Sequence, residues 1–378
     1  EAARLGIEVI PLQQCLGHLQ YVFRWPRYRR WSEEDQSLGT LCVSQDKGRA
    51  FVFEMLRQVL AAHPESRYVH LGLDEAHKLA TCPRCRRRGD TLAVFLAHLN
   101  DLCEIVAAAG KTPIIWSDML ENDFEPARFR GLADRIVLMP WDYACAGEFT
   151  PFGRMMGWRI SRKWLDDPTN LASPAFWPGQ KFFEDLPPAA RRWVAPHQRG
   201  PLVRSAFGAD VWTKLGFRVI GGAAIRASAH GPMLPDYCQL RENLRAWARA
   251  IRRTGQLGVV ATSWARGNTF CPPNFPIEVA WPLVADLVRA FGRRPQPYWP
   301  GVPAAELERI VLSLGRCKKE WSIEADLLAA LKRLRPKVKA HRYEWDALTL
   351  MGEVLALRKR CDRVFAEVDF LTPAPRSP

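Results

Sequence analysis

The stretch Tyr68–Lys78 reads YVHLGLDEAHK. Its first part, Tyr68–Leu73, is a short apolar run of the kind a buried strand requires. Two adjacent acids, Asp74 and Glu75, stand where that run stops. A carboxylate is costly to desolvate without a partner. The two acids are therefore either solvated loop residues or a working pair at the mouth of a site. Similar runs recur at Ile7–Leu12, Thr112–Met119, Arg135–Tyr143, Phe217–Ile225 and Leu257–Trp264. Between them lie stretches with helical periodicity, such as Ala50–His63, Thr91–Ala109 and Asp236–Thr254. Continuous apolar strands alternating with helices indicate parallel β structure in an α/β fold. No G-x-G-x-x-G follows any of the runs, which leaves a dinucleotide-binding fold without support.

Several of these strands end in polar or aromatic residues: Asp74–Glu75, Trp116–Asp118, Trp141–Tyr143 and Trp264. A (β/α)8 TIM barrel builds its site in this way, at the carboxyl ends of its strands. Six strands can be counted, so a barrel would have its first two upstream of residue 1. Ala2–Leu5 reads as the end of a helix with Gly6 as its stop. Residues 144–216 form a long segment rich in Pro, Trp and Phe, expected to be an ordered cleft wall. A closing helix is predicted near Ile277–Phe291. The expected organisation is a barrel domain over 1–292, a linker over 293–304, a helical pair over 305–370 and a disordered tail over 371–378.

At 378 residues the chain can bury a large core. The formal charge of +14 is partly concentrated in Arg24–Trp31 (RWPRYRRW) and Cys85–Gly89 (CRRRG). Basic runs mixed with aromatics can bind nucleic acid. No sustained basic stripe or nucleic-acid motif accompanies them, and a solvated basic face with no nucleic-acid partner is the simpler reading. The 15 tryptophans are compatible both with sugar stacking and with a large core. Cys82 and Cys85 form one C-x-x-C. A structural zinc site needs four ligands, and there is no second C-x-x-C. His77 and His98 are conceivable partners, while reduced thiols without metal are the plainer reading. With neither a signal peptide nor a transmembrane run in view, the expected location is cytoplasmic and no membrane partner is expected.

The stretch HLGLDE has the H-x-G-x-D-E form of glycoside hydrolase family 20, the β-N-acetylhexosaminidases. Gly6–Val22 (GIEVIPLQQCLGHLQYV) resembles the third-strand region of the hexosaminidase D-like branch, and MPWDY and TSWARGN resemble its later strand ends. The resemblance runs from about residue 1 to 292. It implies a TIM barrel that removes terminal GlcNAc or GalNAc without metal or cofactor. In that family the substrate's own acetamide attacks the anomeric carbon. By the motif, Glu75 would be general acid and then base, and Asp74 the carboxylate that orients the acetamide. Neighbours on a regular strand point to opposite faces, so both can reach one sugar only if the strand breaks at its end. Their mutual repulsion and partial burial are expected to raise the pKa of one of them, as a proton donor at neutral pH requires.

The resemblance also brings His18 and His70 toward the acids or the sugar. A satisfied core histidine is the alternative for His70. Trp116, Trp141 and Trp264 would box the acetamide methyl, or else belong to the core. Tyr143 would donate its hydroxyl to the acetamide oxygen. Asp118 and Asp142 would bind sugar hydroxyls or cap the helices that follow them. The chain departs from the best-known members at Leu73, where they carry Gly, and lacks the first-strand Arg that commonly grips sugar hydroxyls. The expected partner is an N-acetylhexosamine-containing oligosaccharide or glycoconjugate. The alternative is a non-catalytic carbohydrate-binding barrel.

Overall fold

In the computed structural model, which describes residues 1–33, 39–155, 159–162, 181–227, 235–264, 277–320, 323 and 325–369, the run at Tyr68 becomes a strand over Tyr68–His70 (β1). It is followed by Thr112–Trp116 (β2), Val137–Met139 (β3), Arg218–Arg226 (β4) and Gly258–Ser263 (β5). The five make one sheet in the order β1-β2-β3-β4-β5. Pairing is parallel from β1 to β4, with His70 opposite Ile114, Ile114 opposite Val137 and Val137 opposite Arg218. β2 is buried after its first residue and β3 throughout, as strands covered on both faces must be.

The helices fall close to where periodicity places them. Asp46–Ala62 buries Val52, Leu56 and Leu60 at four-residue spacing. Thr91–Ala108 starts at Asp90, whose carboxylate accepts the Ala93 N–H at 2.7 Å, an N-cap. This helix is long and apolar enough to cross a membrane. Its Leu92, Phe95, Leu99, Leu102 and Val106 are buried at alternating three- and four-residue spacing, and it packs on β2. A third helix covers Tyr237–Thr254.

Ile7–Leu12, expected as a strand, does not form one. It runs beside β1 and pairs only at its end, through a parallel bridge between Leu12 and His70. There the Pro11 carbonyl accepts from His70 N–H at 2.8 Å, and the His70 carbonyl accepts from Gln13 N–H at 2.9 Å. Pro11 has no N–H to give a ladder. Ile7, Val9 and Ile10 are 56%, 53% and 40% exposed, so burial does not hold this part in a strand. Glu8 is clamped instead by Arg67, whose N–H and Nη2 each lie 2.7 Å from a carboxylate oxygen. Ahead of it, Gly6 closes a short helical turn over Ala3–Leu5, as expected.

Over 305–370, expected as a helical pair, the described residues contain three α-helices: Ala304–Glu320, Ala325–Leu334 and Arg342–Asp369. Pro336, in the tight turn Arg335–Lys337, has no N–H with which to prolong the middle helix. Trp345 donates to the Leu331 carbonyl at 3.0 Å, which ties the last two helices to each other, and its ring meets Trp299 edge-on at 5.0 Å. Among the described residues within 144–216, two small sheets form. One pairs Phe149–Thr150, Leu202–Arg204 and Gln198–Arg199, and the other Phe152–Gly153, Arg159–Ile160 and Lys181–Phe182. The aromatic-rich stretch before Lys181, the segment after Trp264 and the expected tail lie outside the described residues.

The chain divides into two compact units. One comprises Glu1–Asp142, Phe149–Gly221 and Ala250–Gly258; the other comprises Tyr143–Glu148, Gly222–Arg249 and Val259–Pro378.

Candidate active site

β1 stops at His70, and the backbone then turns left-handed at Gly72 (φ 67°), Leu73 (φ 70°) and Glu75 (φ 51°). For non-glycine residues such geometry costs on the order of 1 kcal/mol or more each and persists only where packing imposes it. The strand therefore does break at its end, and the break turns consecutive side chains to one side. His18 Nε2 lies 3.0 Å from Asp74 Oδ2 and 3.4 Å from Glu75 Oε2, so a single imidazole clasps both acids.

Close backbone approaches hold this arrangement. A Cβ on Gly72 would fall 1.7 Å from Gln14 Oε1, and one on Gly17 would fall 2.1 Å from the Asp74 carbonyl oxygen. Gln14 Nε2 reaches Asp74 Oδ1 at 3.4 Å. From the end of β2, Asp118 accepts the Glu75 N–H at 2.9 Å through Oδ2 and the Trp141 indole N–H at 3.5 Å through Oδ1. The Arg154 guanidinium stacks 3.9 Å above the Trp141 ring. His70 is buried, 4.9 Å from Trp116. Its Nδ1 accepts the Gly72 N–H at 3.0 Å, which places the ring proton on Nε2. That Nε2 has no partner among the described residues.

The electrostatics differ from the expectation that repulsion raises one acid of the pair. The hydrogen bond from His18 holds the Glu75 carboxyl below its usual range, against the opposing effect of burial. Hydrogen bonds to Asp74 and Glu75 push His18 up to about 10. The raised carboxyl is Asp118, which burial, followed by the nearby Asp74 charge, lifts to about 7. Burial lowers His70 to about 4, so it is neutral at pH 7. The side chains of Asp74 and Glu75 are 12% and 40% exposed, leaving Glu75 the more open of the two.

The first unit thus brings together His18, Asp74, Glu75, Asp118 and Trp141. It places His70 beside Trp116, and Asp142 is buried. Asp118 opens the helix Asp118–Asn122, but its carboxylate is spent on the Glu75 backbone. Tyr143 and Trp264 lie in the second unit, with ring centroids 6.5 Å apart. Gln14 and Arg154 are contributors that the motif does not announce. Gln14 leaves a signal as half of a polar pair directly after an apolar run, whereas Arg154 is one of many arginines in a long irregular segment. His18, Asp74 and Glu75 also present three possible ligand atoms within 4.8 Å of one another.

Residues 2–150 match the family model described as glycosyl hydrolase family 20, catalytic domain. Hexosaminidase D of Homo sapiens is 29% identical over 145 residues, a match covering 36% of this chain and 30% of that protein. Hexosaminidase D of Bos taurus is 28% identical over 148 residues, covering 36% of this chain and 42% of that protein. The match therefore spans less than half the length of either relative. Among solved structures, the β-N-acetylhexosaminidase from Bacteroides fragilis NCTC 9343 is similar with a TM-score of 0.48 at 18% identity, over 85% of this chain and 54% of that one. Dispersin B is similar with a TM-score of 0.41 at 15% identity, over 77% of this chain and 73% of that one.

Proposed function

We propose, on the premise that residues 2–150 form a glycosyl hydrolase family 20 catalytic region, that the protein is a retaining exo-β-N-acetylhexosaminidase. In this reading β1–β5 belong to a (β/α)8 barrel. The substrate is a terminal β-linked GlcNAc or GalNAc on an oligosaccharide or glycoconjugate. The observation that carries the proposal is the left-handed break at Gly72–Glu75, which delivers Asp74 and Glu75 to the same imidazole. Sugar entry exchanges the His18 contacts for contacts with the substrate. Asp74 accepts the acetamide N–H and turns the carbonyl oxygen toward the anomeric carbon. That oxygen bonds to the carbon as the glycosidic C–O bond breaks, and Glu75 gives its proton to the leaving oxygen. Glu75, now a carboxylate, takes a proton from the water that opens the oxazolinium ion. Trp116 and Trp141 exclude water from the acetamide, and Asp118 fixes Glu75 through its backbone N–H.

The test is turnover of a chromogenic N-acetyl-β-hexosaminide. Glu75→Gln lowers kcat by roughly two to four orders of magnitude. Asp74→Asn is also impaired on the N-acetyl substrate. Unchanged turnover in Glu75→Gln removes the assignment. One observation favours a second reading, a carbohydrate-binding protein without turnover: in the free protein His18 holds Glu75 in its ionised form rather than as a proton donor. That reading predicts saturable GlcNAc binding by a wild-type protein that releases no chromophore.

A further inference from the structure

Outside the acid pair, the first unit gathers four side chains that no step above uses. Cys82 caps the short helix Pro83–Arg86, and its Sγ accepts the Cys85 N–H at 3.4 Å. Cys42, 40 residues earlier, places its Sγ 3.6 Å from Cys82 Sγ and 3.7 Å from Cys85 Sγ. Two thiolates bound to one tetrahedral zinc at the usual bond length of about 2.3 Å sit about 3.8 Å apart. A disulfide would bring its sulfurs to about 2.05 Å. The observed spacings fit the first geometry.

The fourth side chain is Glu33, 7% exposed. Its Oε1 lies 3.5 Å from the Cys82 N–H, and its Oε2 has no hydrogen-bond partner among the described residues. One ligand atom from each of Glu33, Cys42, Cys82 and Cys85 lies within 4.8 Å of every other. Among the described residues no ion pair to Glu33 is found, and a divalent cation would supply countercharge to a buried carboxylate beside three thiols. His98, one of the ligands considered from sequence, is elsewhere: its Nε2 bonds the Cys15 carbonyl at 3.0 Å and its ring stacks on Phe53. His77 is not in the group either.

We propose that Glu33, Cys42, Cys82 and Cys85 form a structural zinc site. Thiolates select zinc over magnesium or calcium, and four protein ligands leave no open position for catalysis. The ion would tie the segment around Glu33 and Cys42 to the turn that leads on from Glu75, acting as a clip in a region with little regular structure. The inference does not depend on the proposed glycosidase activity, because its readout is metal content.

The full chain, expressed with zinc in the medium and purified under reducing conditions without chelator, is expected to carry one zinc per chain by elemental mass spectrometry. Exchange into cobalt should give the intense thiolate-to-cobalt charge-transfer bands and visible bands of a tetrahedral site. The double variant Cys42→Ser/Cys85→Ser should lose the metal, whereas Cys361→Ser, an exposed thiol elsewhere, should retain it. Glu33→Gln should keep the charge-transfer bands and release metal to a competing chelator at least tenfold faster. The wild-type cobalt spectrum decides the matter even if a variant fails to fold. The proposal is overturned if reduced wild-type protein takes up no stoichiometric zinc or cobalt, if Cys42 is found disulfide-bonded to Cys82 or Cys85, or if the double variant keeps its zinc.

Discussion

Gly17→Ala tests whether packing, rather than the motif, sets the acid geometry. The backbone at Gly17 can accept an alanine, because its φ lies outside the left-handed region, so the effect is steric. The new Cβ would sit 2.1 Å from the Asp74 carbonyl oxygen, 3.3 Å from the Asp74 carbonyl carbon and 3.5 Å from Ala76 N. Ordinary contact begins near 3.4 Å, so the two backbones must part by about 1.3 Å. Both neighbours are main chain, and no side chain can rotate away to absorb the overlap. Overpacking of this kind costs roughly 1–3 kcal/mol, or a fall of a few degrees in Tm for a chain this size. A shift of about 1 Å at a reacting group can cost on the order of 100-fold in rate. The expected result is a kcat lowered about 100-fold on a chromogenic N-acetyl-β-hexosaminide, with a modest loss of Tm by calorimetry. Gly131→Ala, where an added Cβ meets nothing within 4 Å, serves as the control and should leave both unchanged. Wild-type kcat and Tm in Gly17→Ala would refute the claim that this contact holds the pair.

Two further outcomes follow from the charges. His18 is raised to about 10, so its clasp on the acids contributes fully below its unfolded value near 6.5 and fades as pH rises through 10. Glu75 is lowered, so its share is present above its unfolded value and disappears as pH falls through the folded one. His18→Gln should therefore let the Glu75 carboxyl rise and move the basic limb of the kcat/KM profile to higher pH; an unmoved limb contradicts the clasp. His98 is buried and burial lowers it to about 4, so it gives full stability above 6.5 and loses it as pH falls through 6.5 toward 4. His98→Gln should remove up to roughly 3 kcal/mol of pH dependence across that interval, read from urea unfolding at its two ends. An unchanged acid limb would mean that His98 is already protonated in the fold.

The sequence made legible whatever depends on short-range patterning. Five of six predicted strands and three helices follow apolar periodicity, which is local and strong where an element is buried on both sides. The exception, Ile7–Leu12, has the same composition but not the same environment: side chains that remain exposed do not drive a ladder, and Pro11 cannot complete one. The candidate site divides along the same line. Asp74 and Glu75 could be chosen because one turn brings them together, and that turn is written into Gly72. What Glu75 experiences is set first by His18, opposed by burial, with smaller effects from its near neighbour His77 and from Arg154. His18 and Arg154 arrive from other segments, and no local pattern encodes the sign of the combined effect. A rule based on the pair alone gives a raised acid, because it counts the like charge next door and the burial but no counter-charge. The imidazole between the two acids reverses that result for Glu75, and the raised carboxyl is Asp118, lifted by its own burial. The cysteines follow the same logic. Cys82 and Cys85 are visible as a pair because one short helix spaces them, whereas Cys42 and Glu33 reach them only through tertiary folding. The proposed four-ligand site is hidden behind a motif that displays half of it, and the spacing between sulfurs carries the information that the spacing in sequence lacks.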